Sequence, residues 1–352
     1  MAACLGLLML LGAGGAMAQR VEGDRAEAQS PYEAEVPVRS QAESERDSAF
    51  ARALAQVFAK LSGDRSVSGR PGVGQELRRA GDYVEGYDYR QDSTTGASGA
   101  PVHRTIMVVR FEPEAVDAIA AALGLPVWPQ PRPKPVLWLA IDDGSGPRMV
   151  GLAQSNAARP VLQRAIERGY RLGLPAGNAA EQAAVGAIWR GDTAAIARLS
   201  ARYSPPMQLI GKLYRSGAGW KSDWIFVDNG RVLSRWSESH GDARLAMATG
   251  ADGTADALTR RYAKVSPAAQ PALERVVFTG IRSSADYIRL SAALQRMSVV
   301  RGIRPMRATP EGLEVELDLL TGLAGFRQIA DSAVLVEREG AADALVPEFV
   351  LQ

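Results

Sequence analysis

Residues 124–143 read GLPVWPQPRPKPVLWLAIDD, and this stretch divides the sequence into folded units. Its five prolines remove backbone donors and hold the chain extended, close to polyproline II. A segment of this composition is a semi-rigid spacer. We therefore expect a Pro-rich linker at residues 126–135, with Trp128 packed against a neighbouring unit. A PxxP recognition ligand is the alternative use of such a segment.

The residues after the linker predict a central α/β domain at residues 136–268. VLWLAI (residues 136–141) is a nearly continuous apolar run, which is typical of a strand buried on both faces. RLGLP (residues 171–175) is expected to form a second strand. We then expect helices at 156–168, 179–189 and 193–203, an antiparallel meander of strands at 207–215, 220–228 and 231–239, and a helix at 242–264.

The last two strands of that meander meet at Asn229-Gly230, a strong short-range signal for a two-residue hairpin turn. A two-residue turn fixes the register. It predicts that Asp228 faces Arg231, that Phe226 faces Leu233, that Trp224 faces Arg235 and that Lys221 faces Glu238.

The residues before the linker predict an N-terminal α+β domain at residues 32–125 with the order β-α-β-β-α. Ser40 and Glu43 have the S-x-x-E spacing of a helix capping box, and Gly63 is expected to end that helix. The strands are expected at 32–38, 83–90 and 103–111, and a short helix at 113–123.

The remaining residues, 269–352, predict a C-terminal domain with the ferredoxin-like order β-α-β-β-α-β. The complete protein is therefore expected to belong to the α+β class. It would consist of several small α/β units.

The first residues have the pattern of a cleavable secretion signal. An apolar run leads to Ala16-Met17-Ala18, which is the A-x-A spacing of a signal peptidase site, so we expect a signal peptide at residues 1–18. Residues 19–31 are polar and small, and a disordered segment is expected there. Cys4 is the single cysteine, and its removal would leave a mature chain that tolerates an oxidising compartment. We expect a periplasmic protein with no transmembrane segment in the mature chain.

The charge balance argues against nucleic acid as a partner. The 352 residues contain 41 Lys plus Arg and 39 Asp plus Glu, a net charge of +2. A nucleic-acid-binding protein needs a clustered basic surface. The two histidines, His103 and His240, have no metal-ligand spacing, so no metal site and no cofactor are expected.

Several segments resemble the family DUF2066, a domain of unknown function in exported proteins of Gram-negative bacteria. They are YEAEVPV (residues 32–38), KLSGDRSV (residues 60–67), the junction quoted above and LIGKLYRSGAGWKSDWIF (residues 209–226). The resemblance implies export, and it implies no activity, substrate or catalytic residue.

Asp142 and Asp143 are the first candidates for a ligand site, because they follow the buried strand at residues 136–141. Ligands of open α/β sheets gather at the carboxyl ends of strands. Adjacent carboxylates there could bind a cation or act as acid and base. The alternative is a tight D-D-G-S-G turn, in which Asp favours the local backbone.

Trp220, Trp224 and Trp236 with Arg235 are the second set of candidates. Together they could form a stacking surface for a glycan or a peptide. The alternative is packing beneath a neighbouring helix, since large aromatic side chains are buried on average.

No complete catalytic set is present in the sequence. We expect a non-enzymatic binding or assembly factor of the cell envelope, whose partner is a periplasmic or outer-membrane protein or another envelope component. The alternative is a hydrolase or metal-dependent enzyme that uses Asp142 and Asp143.

Overall fold

The computed structural model describes residues 30–95, 101–129, 131–203, 206–265, 270–330, 333–338 and 346–352. The signal peptide expected at residues 1–18 and nearly all of the segment at 19–31 lie outside these ranges.

The N-terminal unit has the predicted element order, with one additional short helix. A three-stranded antiparallel sheet of order β1-β3-β2 packs against α1, whose apolar stripe is buried. The elements are β1 (Glu33–Val38), α1 (Glu43–Ser62), α2 (Val73–Arg78), β2 (Val84–Thr95), β3 (Pro101–Phe111) and α3 (Pro113–Ala122).

The two ends of α1 differ in how well the sequence predicts them. Gly63 ends the helix with φ 71°, and its N–H donates to the carbonyl of Ala59, as expected for a glycine stop. The capping box predicted at Ser40 is wrong. Ala42 occupies the N-cap and offers no side-chain acceptor, while Ser40 Oγ lies 3.4 Å from the Ala42 nitrogen.

The Pro-rich junction packs against the units on both sides of it. Trp128 is 2% exposed, and its backbone N–H donates to the carbonyl of Leu61 at 2.7 Å. The guanidinium of Arg132 lies 4.4 Å from the Trp128 ring and donates to the carbonyl of Gly169 at 2.6 Å. The prolines keep the segment extended while Trp128 and Arg132 attach it to its neighbours.

The central unit is a five-stranded sheet of order β5-β4-β6-β7-β8, in which β4 and β6 are parallel and the other pairs are antiparallel. Its strands are β4 (Val136–Asp142), β5 (Arg148–Val150), β6 (Met207–Ser216), β7 (Gly219–Asp228) and β8 (Arg231–His240). Its helices are α4 (Ser155–Glu167), α5 (Ala179–Gln182), α6 (Val185–Arg190), α7 (Thr193–Ser200) and α8 (Ala243–Tyr262).

Helices cover both faces of the strand β4, as its continuous apolar sequence predicts. Leu137 and Leu139 pack with α4 and α8, whereas Trp138 packs with α6 and α7 on the opposite face. The second strand expected at residues 171–175 does not form, since Gly173 makes only an isolated bridge to Val136. The strand parallel to β4 is instead β6.

The β7–β8 hairpin has the predicted turn and a different register. Asn229 and Gly230 adopt φ 49° and 75°, and Asp228 faces Arg231. A β-bulge then shifts the pairing by one residue, because Val227 faces Val232 while Phe226 faces Ser234. Beyond the bulge, the three predicted pairings of Phe226, Trp224 and Lys221 are wrong. Trp224 faces Trp236, and Arg235 faces Ile225.

The C-terminal unit follows the predicted order of six elements and adds one strand. The elements are β9 (Ala272–Thr279), α9 (Ser284–Arg296), β10 (Val300–Ala308), β11 (Leu313–Leu319), α10 (Gly322–Ile329), β12 (Leu335–Glu337) and β13 (Glu348–Leu351). The sheet order is β10-β11-β9-β13-β12. The predicted ferredoxin-like sheet is therefore not formed as expected: β13 is inserted parallel to β9, and the predicted fourth strand, β12, pairs with β13 at the edge instead of with β9.

The first and last units share one hydrophobic core. Buried side chains of residues 34–125 and 276–351 form a single cluster. Thr321 donates its hydroxyl proton to the carbonyl of Ala122, so the start of α10 is bonded to the end of α3. The expected α+β class is confirmed.

Candidate functional site

Asp142 and Asp143 lie at the carboxyl end of β4, where the sequence places them, and their oxygens bond to the turn that follows. Asp142 Oδ1 accepts from the backbone N–H groups of Gly144 at 2.9 Å and Gly146 at 3.0 Å. Asp143 accepts from the N–H of Ser145 and forms an ion pair with Arg148 at 2.6 Å.

These contacts make the pair a turn-forming element. The backbone hydrogen bond from Ser145 comes first among the contacts that hold the pKa of Asp143 below its usual value, with the Arg148 guanidinium adding to it. Among the residues that the structure describes, no group of three His, Cys, Asp or Glu side chains is arranged to hold a metal ion.

Trp224 and Trp236 lie beneath α8. The two rings stack with centroids 6.4 Å apart, and Trp224 is 1% exposed. Trp236 donates its indole proton to the carbonyl of Thr249. Gly250 and Gly253 lie against the two rings, because a methyl group on either glycine would come within 2.6 Å of an indole carbon. The pair therefore belongs to the packing between the sheet and α8.

Trp220 lies apart from these two rings, near the turn that joins β6 to β7. It faces Arg215 across the strands, and the guanidinium of Arg215 lies 4.4 Å from its ring centroid. Among the described residues, no ring contact joins Trp220 to Trp224 or Trp236, so the three tryptophans do not form one stacking surface.

Arg235 lies on the opposite face of the sheet from Trp236, because neighbouring residues of a strand alternate. It lines a pocket of about 370 Å³ between the end of α6 and strands β6, β7 and β8. This volume lies within the range of small-ligand sites. The polar and aromatic side chains that line it include Trp189, Arg190, Lys212, Asp223, Arg235 and Ser237.

A row of polar side chains crosses the three strands at the base of this pocket. Lys212 of β6 faces Asp223 of β7, which faces Ser237 of β8. Lys212 Nζ lies 3.3 Å from Asp223 Oδ2, and Ser237 Oγ donates to Asp223 Oδ1 at 2.5 Å. The hydroxyl of Tyr214 donates to Asp223 Oδ2 at 3.1 Å. Asp223 thus accepts from three side chains.

The protonation states in this row follow from the contacts. Burial alone would raise the pKa of Asp223, but the hydrogen bonds from Ser237, Tyr214 and Lys212 outweigh it and hold that pKa below its usual value. Burial, with the hydrogen bond to Asp223, raises the pKa of Tyr214. At neutral pH the carboxylate is therefore ionised and the phenol is protonated.

Aromatic rings enclose Lys212 from two sides. Its ammonium lies 5.5 Å from the centroid of Trp189 and 5.6 Å from that of Tyr214, within the range of a cation–π contact. Gly191, with φ 67°, lies so close to Ile225 that a side chain would collide there. This glycine lets α6 end directly over the sheet, which places Trp189 above Lys212.

Two arginines of the pocket have no acidic partner. Arg190 at the end of α6 and Arg235 on β8 form no ion pair within the described part of the chain, whereas the charge of Lys212 is balanced by Asp223. The pocket therefore has two positive charges without acidic partners among the described residues, and Trp189 lines the same pocket. An anionic group next to a flat apolar surface is the ligand chemistry that fits this arrangement.

A larger cleft of about 770 Å³ separates α2 from the ends of α9 and α10. Arg78, Arg79 and Arg296 line it, and Arg79 pairs with Asp82. None of the described residues that line it is aromatic, so it lacks the flat apolar surface that Trp189 gives to the pocket. The cleft is therefore a weaker candidate than the pocket.

Sequence patterns group Arg235 with Trp224 and Trp236, which stack beneath α8. They do not single out Trp189, Arg190, Lys212 or Asp223. These side chains come from α6, β6 and β7, and only the fold brings them together. In the predicted hairpin register, Asp223 would face Trp236 instead of Ser237. The bulge therefore decides which side chains meet at the pocket.

One family model matches part of the chain. Residues 26–129 match a model described as Domain of unknown function (DUF8605). The predicted resemblance to DUF2066 is wrong, because the matching model is that of a different family. The match covers the N-terminal unit and ends within the Pro-rich junction. It covers less than half of the chain and names no activity.

The other two comparisons yield nothing: no curated protein and no solved structure matches this chain. Within the described ranges, none of the helices combines the length and the apolar character needed to span a bilayer.

Proposed function

We propose that this protein is an exported, non-enzymatic binding factor of the cell envelope, and that the α6–β8 pocket holds an anionic group of a protein partner. The observation that carries this proposal is the presence of Arg190 and Arg235, without acidic partners in the described residues, at one pocket beside Trp189. Charge-assisted hydrogen bonds from arginine to a carboxylate are among the strong polar contacts in proteins.

The polar row beneath the pocket supports binding rather than catalysis. A general base needs a free lone pair and a pKa near the working pH. Asp223 accepts from three side chains and its pKa is lowered, so it is a poor base. Its contacts hold Lys212 and Tyr214 in place and give the pocket a rigid base.

The hydrolase or metal-enzyme alternative has no observation in its favour. Asp142 Oδ1 accepts from two turn amides, and the two carboxylate oxygens of Asp143 accept from Ser145 and Arg148.

Export is the second part of the proposal, and it rests on the leader pattern at residues 1–18. Expression of the full chain in a Gram-negative host should yield a periplasmic product that begins at Gln19. N-terminal sequencing of the fractionated protein tests this, and an uncleaved cytosolic product would contradict it.

Site-specific photocrosslinking in intact cells tests the binding role. A benzophenone amino acid placed at Ser239, an exposed residue of β8, reports on the pocket, and one placed at Arg198 on α7 reports on a neighbouring surface. We expect the probe at Ser239 to capture a defined envelope protein and the probe at Arg198 not to capture it.

Dependence on the pocket charges gives this experiment its control. The double variant Arg190→Ala/Arg235→Ala should lower the captured amount by about tenfold or more, since each charged hydrogen bond contributes about 1.5–3 kcal/mol. The matched variant Arg198→Ala removes an exposed arginine outside the pocket and should leave capture unchanged. Equal capture by all three proteins would refute the proposed site.

A further inference from the structure

The strand β8 has a free edge beside the pocket. It is ten residues long and pairs with β7 on one side, and no other described strand pairs with it. The bulge of β8 lies next to the turn, and the residues from Ser234 to His240 pair with β7 in one register. An unpaired edge presents backbone N–H and C=O groups that can pair with another extended chain. Arg235 and Ser237 of this strand also line the pocket, so the free edge and the pocket adjoin each other.

Other sheet edges carry features that oppose such pairing. The edge strand β10 contains Pro305, which has no N–H to donate. On β1, the carbonyls of Glu33 and Pro37 accept from Lys60 and Arg52. The edge strands β5 and β12 are three residues long.

The strand β2 has a free edge as well, but its charges are balanced. Its Asp88 and Asp92 pair with Arg110 and Arg104 of the adjacent strand. On β8, by contrast, Arg235 has no acidic partner among the described residues. Among the long edge strands described, β8 is therefore the one that has both unpaired backbone groups along its edge and an arginine without an acidic partner.

The spacing of strands indicates what a chain docked on this edge would contact. A strand added beside β8 would lie about 4.8 Å away, and every second side chain would point to the pocket face. Side chains directly opposite each other across strands interact, and opposite charges stabilise the pair. An acidic side chain on that face would therefore lie beside Arg235, within reach of Arg190.

We propose that the partner binds as an extended acidic segment that adds to the free edge of β8 as a sixth strand, with alternate carboxylates directed to Arg235 and Arg190. Because the pocket is the site of the proposed function, this inference depends on it and specifies its ligand. The backbone of β8 would supply affinity, and the two arginines would select acidic side chains.

Peptide probes on the full mature chain test this inference. The first probe is a peptide of alternating valine and glutamate that matches the ten residues of β8, and the second has lysine in place of glutamate. Fluorescence anisotropy should show binding of the glutamate peptide and about tenfold or greater weakening for the lysine peptide.

N-methylation of the glutamate peptide then tests strand pairing. In an extended strand, the N–H groups of the valines point to one edge and those of the glutamates to the other. Methylating the nitrogens of one residue type should therefore abolish binding, while methylating those of the other type should leave affinity within about twofold.

The outcomes separate this inference from the proposed function. Suppose that both methylated peptides bind like the parent peptide and that Arg190→Ala/Arg235→Ala lowers the affinity for all three peptides. Edge pairing would then be wrong, while the proposal that the pocket binds an anionic group would be supported. If methylation discriminates but the double variant binds normally, the arginines have no part and the proposed site fails. Equal binding of glutamate and lysine peptides, or no binding up to about 1 mM, overturns the inference.

Discussion

Arg168 joins three elements at the end of α4, and its side chain is 4% exposed. Its guanidinium donates to Asp252 at 2.8 Å, to Asp256 at 2.6 Å and to the backbone carbonyl of Gly63 at 2.9 Å. A planar guanidinium can serve three acceptors in fixed directions, which a lysine ammonium cannot match. The side chain thus ties the end of α1 to α4 and α8.

We predict that Arg168→Ala lowers the free energy of unfolding by about 1–3 kcal/mol, because it removes the donor to the Gly63 carbonyl and the nearest cation of Asp252. Asp252 keeps Arg65 at 3.5 Å and Arg164 at 3.7 Å. Arg168→Lys should recover only part of this loss. Urea unfolding followed by circular dichroism measures both. Arg198→Ala, an exposed substitution on α7, should change stability by less than about 0.5 kcal/mol. If Arg168→Ala also changed the free energy of unfolding by less than about 0.5 kcal/mol, the hydrogen bonds of Arg168 would contribute little to stability.

Asp223 makes stability depend on pH in a defined direction. Its pKa is lower in the folded protein than in the unfolded chain, so its contribution is present above the unfolded value of about 3.9 and is lost as the pH falls through the folded value. We predict that Asp223→Asn is less stable than the wild type at neutral pH and that the difference shrinks below about pH 4. Urea midpoints measured across pH test this, and a difference that widens in acid would contradict it.

At the scale of elements, local sequence patterns predict the turn of the β7–β8 hairpin but not the register of its strands. Asn229-Gly230 correctly predicts the turn, because both residues adopt positive φ readily. The bulge opposite Phe226 and Val227 has no such local signature, and it is accompanied by the stacking of Trp224 on Trp236 under α8. One shifted residue moves Arg235 to the pocket face, so the candidate site could not be assembled from the turn rule alone.

The other elements are likewise predicted well where the sequence has a clear pattern and poorly where it has none. The helix α1, whose apolar stripe has helical spacing, and the strand β4, whose apolar run is continuous, are predicted within a few residues. The short strand β13 was missed, because four residues are too few to show a period. The capping box at Ser40 failed because the chain enters α1 through Ala42 instead.

The contact between α8 and the sheet yields a prediction about glycine. A methyl group at Gly250 would lie 2.6 Å from the ring of Trp224, which is buried and cannot move aside freely. We predict that Gly250→Ala destabilises the protein by about 1–3 kcal/mol through overpacking, although alanine favours helix.

Gly74 in α2 is the matched control, since a methyl group there meets nothing within 4 Å. Gly74→Ala should stabilise the protein by up to about 1 kcal/mol, through the higher helix propensity of alanine. Thermal or urea midpoints compare the two variants. A stabilising Gly250→Ala would show that α8 is free to shift away from the sheet.

At the scale of the whole molecule, the order of units along the chain differs from their order in space. The first and last units share a core, and the central unit joins them through the Trp128 junction and the Arg168 network. Sequence patterns predict the elements of each unit, but they do not indicate which units pack together. That information lies in contacts such as Thr321 with Ala122, which are 199 residues apart.

The shared core predicts that the first and last units lose stability together. Thr321→Val removes the donor to the buried carbonyl of Ala122 and should cost about 1–3 kcal/mol. Hydrogen exchange should show equal loss of protection for amides of β3 and β9. Ser239→Ala, an exposed change in the central unit, should leave both strands unchanged. A loss confined to β9 would show that the two units open independently.

The central functional claim is that the positive charges of the pocket select an anionic partner. The most direct measurement is charge reversal: the affinities of the glutamate and lysine peptides are measured for the wild type and for Arg190→Glu/Arg235→Glu. We expect the wild type to prefer the glutamate peptide and the double variant to prefer the lysine peptide, each by about tenfold or more. The same preference in both proteins would show that the partner is selected elsewhere.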